Sequence, residues 1–169
     1  MADRRQSGDG ARRASVLVRA VALLSRREHS ARELRRKLIE RGFLAEEVDV
    51  ALQRLQGSGL QDDTRFAETL ARSRANSGRG PLRLRAELAV HGLADEVSTR
   101  ALEQAEEEQD WRSRALELAA RRLRGAPLAE LRDQRRLTEF LLRRGFPGDV
   151  VRSVVRELAA DDAIGDVGD

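Results

Sequence analysis

Three short runs of this chain are spaced alike, and that spacing constrains the fold more than any other feature. Leu34, Leu38, Gly42 and Phe43 are matched by Leu84, Leu88, Gly92 and Leu93, then by Leu137, Leu141, Gly145 and Phe146. The glycines fall 50 and then 53 residues apart. Leucines four apart lie on one helix face. A glycine four positions later closes that helix, because glycine enters the left-handed region without steric cost. Beyond the glycine, Val48, Leu52 and Leu55 stand at the same offsets as Val151, Val155 and Leu158. The middle copy follows with Val97 and Ala101 after a one-residue shortening, and with Ala105 at the common offset. A further helical stretch precedes each run, at about 14–26, 63–75 and 110–124. Each repeat therefore reads as three helices, with the glycine turn between the second and third.

Local chemistry supports these boundaries. Ser30-Ala31-Arg32-Glu33 is a capping-box pattern, with Ser30 accepting from an early helix N–H and Glu33 reaching back. Pro81 after Gly80 opens the second run, at the first helical position, where a missing N–H costs nothing. Leu, Ala, Arg and Glu dominate the rest and favour helix, and no alternating strand pattern stands out. About 50 residues make a poor isolated core, whereas stacked repeats bury the faces that each would expose alone. The expected fold is all-α: three tandem three-helix repeats forming an elongated, curved array. The expected units are 14–60, 61–108 and 109–158, flanked by a disordered basic N-terminus (1–13) and an acidic C-terminal tail (159–169).

Composition excludes several classes of function. The chain has 169 residues and no cysteine, so there is no thiol nucleophile or thiolate metal site. Its one lysine, Lys37, follows no glycine loop and cannot serve a P-loop. No apolar run is long enough to span a membrane, and the first 13 residues lack the apolar centre of a signal peptide, so a cytoplasmic location is expected. The 32 basic residues exceed the 29 acidic ones by a net charge of only +3, yet the isoelectric point is near 10.6. With no tyrosine or cysteine and one lysine, almost nothing titrates between neutrality and arginine. The charge is also polarised: residues 1–41 carry twelve basic and five acidic side chains, while 157–169 carry five acids and no base.

Catalytic chemistry finds little support. His29 and His91 are too few for a metal cluster, and His91 before Gly92 reads as a cation-capable residue at a helix C-terminus. Asp62 and Asp63 read as N-terminal caps in preference to metal ligands or a general acid. No enzyme, cofactor or metal is expected. The arginines are the better lead. Arg72, Arg74, Arg79, Arg83 and Arg85 crowd fourteen residues, and Arg32 and Arg36 lie four apart in the first repeat. The guanidinium fork suits phosphate or carboxylate equally, so the partner is nucleic acid or an acidic protein surface. The structural alternative is pairing on the helix surface, such as Arg83 with Glu87. Phe43, Phe66, Phe140, Phe146 and Trp111 all fit core or turn positions, so no stacking platform is expected and any nucleic-acid contact should be salt-sensitive.

The run from Gly59 through Asp62, Asp63, Phe66 and Glu68, with Ser73-Arg74 and Gly78-Arg79-Gly80-Pro81-Leu82, resembles the RecX family. So do Arg27-Glu28-His29-Ser30, Glu33-Leu34, Lys37-Leu38 and Arg41-Gly42-Phe43, the resemblance covering about residues 14–158. Leu60 departs from it, standing where relatives often carry an aromatic. The resemblance implies tandem three-helix repeats that lie in the groove of the RecA–DNA filament. There they restrain RecA's ATPase, strand-exchange and co-protease activities in recombinational repair and the SOS response. It also implies direct, salt-sensitive binding of single- or double-stranded DNA by some members. The expected partner is thus RecA or its DNA filament, met by a monomer. Arg32, Arg36, Arg72, Arg74, Arg79, Arg83 and Arg85 would make contact, while Asp62, Asp63, Phe66, Gly78, Gly80 and Pro81 would shape the segment. The alternative is a helix-turn-helix-like DNA-binding module acting without RecA.

Overall fold

The computed structural model describes the backbone of residues 15–165 and the side chains of residues 15–160. Within that range the chain forms helices and turns, with no strand. The first repeat holds α1 (15–24), α2 (Ala31–Ile39) and α3 (Ala45–Gly57). The second holds α4 (Asp63–Asn76), α5 (Pro81–Val90) and α6 (Asp95–Glu108). The third holds α7 (Trp111–Leu123), α8 (Leu131–Arg144) and α9 (Gly148–Gly165). The expected basic N-terminus, residues 1–13, lies outside the described residues. Of the stretch expected as an acidic tail, α9 continues as helix to Gly165 and residues 166–169 lie outside the description.

The repeat glycines set the architecture. Gly42, Gly92 and Gly145 all sit in the left-handed region, at φ 86°, 69° and 91°. In the first and third repeats the following phenylalanine N–H donates back to the second leucine's carbonyl, Phe43 to Leu38 and Phe146 to Leu141. That bond turns the chain and folds the aromatic ring onto the helix it has just left. The leucines of all three runs are buried, Leu34, Leu38, Leu84, Leu88, Leu137 and Leu141 alike.

The repeats do not share their cores equally. Val16, Ala20, Leu34, Leu38, Val48, Ala51, Leu52 and Leu55 form one cluster confined to the first repeat. The second and third repeats build a single cluster in common. Within the second repeat, small residues bring two helices close together. Ala67, Ala71 and Ala75 on α4 and Ala101 and Ala105 on α6 are buried, and these two helices pack along each other. Trp111, Ala115, Leu118 and Ala119 of α7 then extend the same core into the third repeat. A Cβ at Gly78 would stand 2.9 Å from a Leu118 methyl carbon, which shows how closely α7 meets the α4–α5 turn.

Candidate docking surface

Both junctions between repeats use the same pieces of chain. The start of a repeat's second helix meets the glycine turn of the next repeat. Between the second and third repeats this contact is backbone to backbone. The Gly80 N–H donates to the Arg144 carbonyl at 2.8 Å, and the Leu82 N–H donates to the Gly145 carbonyl at 3.0 Å. A Cβ on Gly80 would lie 2.4 Å from the Gly145 carbonyl carbon, and one on Gly145 would lie 2.5 Å from Arg83 Cβ. Only glycine at both positions lets the strands of backbone approach.

Between the first and second repeats, Ser30 occupies the position that Gly80 holds in the other junction, and side chains replace the backbone bonds. Ser30 Oγ accepts from the Glu33 N–H at 3.1 Å, capping α2, and lies 2.9 Å from His91 Nδ1 at the end of α5. The direction of that bond follows the tautomer of His91. Burial holds His91 below its ordinary pKa, against the pull of Glu33, Glu87 and Asp63. His91 thus caps the end of α5, where the sequence placed it, but as a hydrogen-bond partner between repeats whose burial disfavours the charged form, and it stacks tilted on Phe66 at 4.7 Å. Asp63 also crosses the junction, accepting from the Ala31 N–H at 2.8 Å. Asp62 caps its own helix, accepting from Thr64 and Arg65.

His29 is buried beside this contact. Its Nδ1–H donates to the Arg27 carbonyl at 3.0 Å, and its Nε2 faces Lys37 Nζ at 3.0 Å. Burial lowers its pKa, so the neutral ring can accept from the lysine. Lys37 also pairs with Glu33 at 2.9 Å, and Arg27 donates to the same carboxylate. Burial pushes Glu33 up, but these two cations outweigh it and hold the carboxyl at about 2. The Glu33 carboxylate is thus turned to Arg27 and Lys37, and Ser30 supplies the cap that the capping-box pattern foresaw. Glu28 reaches Arg65 at 2.5 Å across the same junction, and Gln61 Nε2 donates to the His29 carbonyl. An open cleft of about 490 Å³ borders the junction, lined by Arg27, Glu33, Phe66, Arg74, Glu87 and His91 among others.

The arginines singled out from sequence are held by several different partners. Arg74 and Arg79 converge on Glu87, at 2.9 and 2.5 Å. Glu87 is therefore held from the α4 side, and the pairing expected with Arg83 is not the one that forms. Arg83 instead donates to the Arg143 carbonyl of the third repeat at 3.2 Å. Arg72 pairs with Glu108 at 2.6 Å and Arg85 donates to Thr99 Oγ1 at 3.3 Å. Arg36 pairs with Glu40 at 2.6 Å, and the Arg32 side chain runs past Gly92. Phe66 is buried, a Cβ on Gly78 or Gly80 would clash with the third repeat, and Pro81 stands in the first turn of α5.

Two features of the third repeat were missed from sequence. Arg114 is buried at 5% exposure, donating to the Gln109 and Ala105 carbonyls and to Asn76 Oδ1. It thereby caps the end of α6 and ties the third repeat to α4. Arg121, Arg122 and Arg124 are exposed at the end of α7, beside a Phe140 that is only half-buried. The acid-free stretch from 118 to 129 was the signal that could have found them. Among the described residues no His, Asp and Glu group could hold a metal ion, and no helix is long and apolar enough to cross a membrane.

Comparison with known proteins accounts for the repeats in order. Residues 17–55, 62–102 and 108–155 match models of the first, second and third three-helix domains of RecX. A regulatory protein RecX from Stenotrophomonas maltophilia is 44% identical over 145 residues, covering 86% of this chain and 88% of that protein. Its counterpart from Xanthomonas campestris is 46% identical over 138 residues, covering 82% and 84%. The crystal structure of RecX from Lactobacillus salivarius superposes with a TM-score of 0.73 at 21% identity, covering 88% of this chain and 97% of that one. A second crystal structure of a regulatory protein RecX gives 0.75 at 25% identity, covering 91% and 77%. With all three repeats matched in order and relatives this similar along most of its length, the chain belongs to the RecX family of regulatory proteins.

Proposed function

We propose that this chain regulates the RecA recombinase by docking on the RecA–DNA filament as a non-catalytic monomer in the cytoplasm. Its effect is mainly inhibitory, on ATP hydrolysis, strand exchange and co-protease activity. The observation that carries this reading is the ordered match of all three repeats to the regulatory family. The surface chemistry supports it. A docking protein gains from many moderate polar contacts that steer and orient it without demanding a deep pocket. Arg32, Arg83 and Arg85 are exposed and available for such contacts, and Arg36 is exposed but paired with Glu40. Arg72, Arg74 and Arg79 would join by trading their own carboxylates for those of the partner. The exposed Arg72–Glu108 pair is worth only about 0–1 kcal/mol, so that exchange costs little, while the half-buried Glu87 pairs resist it more.

The test is RecA's DNA-dependent ATPase with this protein titrated in at low salt. Inhibition near or below stoichiometric ratios is expected. Unchanged hydrolysis at a stoichiometric ratio would refute the regulatory reading. A combined Arg83→Gln and Arg85→Gln variant should need several-fold more protein for the same inhibition.

A further inference from the structure

The link between the first and second repeats has room to bend, and the link between the second and third does not. Gly57, Ser58 and Gly59 join α3 to α4. A Cβ on either glycine would meet nothing within 4 Å, and Gly59 sits in the left-handed region at φ 70°. The exposed Arg65 side chain reaches the Gly59 and Leu60 carbonyls. Gln109 and Asp110 join α6 to α7, and there the buried Arg114 takes the Gln109 and Ala105 carbonyls together with Asn76 Oδ1. A hinge needs a few residues free to absorb backbone rotation, and bodies on either side that can part. The first link has both, because the repeats it joins keep separate cores.

The contact across that link is polar and carries two histidines. His91, at the end of α5, lies 2.9 Å from Ser30 Oγ of the first repeat and against Phe66 of α4. His29 is buried in the same place, with Lys37 Nζ and the Arg27 carbonyl each at 3.0 Å. An imidazolium at either position needs a carboxylate, and the carboxylates that face them are already engaged. On α2, Glu33 is held by Arg27 and Lys37, and it stands 3.9 Å from His29 Nε2, farther than the lysine does. On α4, Asp63 accepts from the Ala31 N–H and from Gln61 Nε2. On α5, Glu87 is held by Arg74 and Arg79. A proton on His29 sets two cations at hydrogen-bond distance, which disfavours the closed contact. Gln61, 2% exposed, leaves its Oε1 without a hydrogen-bond partner among the described residues, a cost that the closed junction carries and an opened one sheds.

We propose that this junction is an acid-operated latch: protonation of His91 and His29 frees the first repeat to swing about Gly57 and Gly59, while the second and third repeats stay one body. Burial opposes the charged form of both rings, so each binds its proton more tightly once the junction is open, and acid favours the open arrangement. The other junction is made of backbone hydrogen bonds and apolar packing, and offers no histidine for acid to act on. A docking surface spread over three repeats needs them in one orientation, so release of the first weakens docking. That consequence rests on the regulatory reading; the latch itself does not.

The chain has no cysteine, so paired spin labels on introduced cysteines report the motion without background. One pair, Arg19→Cys with Arg136→Cys, spans the first and third repeats. A second, Gln104→Cys with Arg136→Cys, lies within the fused pair, and all three positions are exposed. Label distances are measured by pulsed electron resonance at about pH 7.5 and about pH 5, on either side of the ordinary histidine pKa. On acidification the distance distribution of the first pair should broaden and its mean shift by several ångströms, with the second pair unchanged. His29→Gln combined with His91→Gln keeps hydrogen-bonding groups that do not titrate in this range, and should abolish the acid response of the first pair. The second pair, placed in that variant, reports that the fused body is intact. No response of the first pair, an equal response of both pairs, or a response that survives in the double variant would each overturn the proposal. No recombinase is present, so failure here leaves the regulatory reading untouched.

Discussion

The two junctions between repeats begin from the same design and part company at the residue that precedes the second helix. Where the second repeat meets the third, Gly80 lets two backbones touch and exchange hydrogen bonds, and a common apolar core closes over them. Where the first meets the second, Ser30 stands in that position and the backbones are held apart. The gap is bridged by Ser30, His91, Asp63, Gln61 and the Glu28–Arg65 pair, and the two sides keep separate cores. Apolar burial scales with area and is indifferent to pH, whereas a junction built from hydrogen bonds and ions contributes modestly and titrates. The chain is therefore a fused pair of repeats with a first repeat attached by polar contacts.

The largest expected effect comes from the backbone contact. Gly145→Ala combines left-handed strain with a Cβ driven into Arg83, and should cost about 3–4 kcal/mol in chemical denaturation. Gly80→Ala should cost about 3 kcal/mol from overpacking. Gly42→Ala, in the equivalent turn of the first repeat, meets nothing within 4 Å and should cost only about 1–2 kcal/mol of strain. Equal losses at Gly42 and Gly145 would remove the distinction between the repeats.

Next in size is Ser30→Ala, which removes the α2 cap and the bond to His91. A loss of about 1–2 kcal/mol is expected, seen as faster amide exchange in α2 with α7–α9 unchanged.

Between neutrality and about pH 5 the response should come from the polar junction, because His29 and His91 are the only histidines. Both have folded pKa values below the ordinary 6.5, so the unfolded chain takes up protons first as pH falls. Their contribution is complete above about 6.5 and is lost as pH drops through the lowered folded values. Glu33 adds a second window, its contribution lost between 4.5 and about 2. Thermal unfolding followed by amide exchange should show α1–α3 loosening first on acidification. His91→Phe should blunt the upper window while preserving the stack on Phe66. The smallest effect is Glu28→Gln, under about 1 kcal/mol and vanishing at high salt, since that pair is partly exposed.

The helices, their glycine turns and the leucine faces were legible because each is written within a few residues. What failed to show was whatever joins distant parts of the chain. Helical spacing puts Glu87 four residues after Arg83, but Arg74 and Arg79 arrive from α4 and take it. His91 reads as a cation-capable residue at a helix end, and its bond to Ser30, 61 positions earlier, appears only on folding. Gly80 was visible as the residue before a helix-opening proline, yet its closest constraint is Gly145 in the next repeat. The free arginines of the third repeat were hidden differently. Sequence shows charge density, and the middle repeat is denser, but the fold neutralises much of that density and leaves Arg121, Arg122 and Arg124 bare.

The unequal attachment of the repeats is tested most directly by native-state hydrogen exchange, read helix by helix at neutral pH and near pH 5. The account predicts that α2 and α3 open with a smaller free energy than α4–α9, and that acid widens the gap. A single opening free energy shared by all three repeats at both pH values would contradict it.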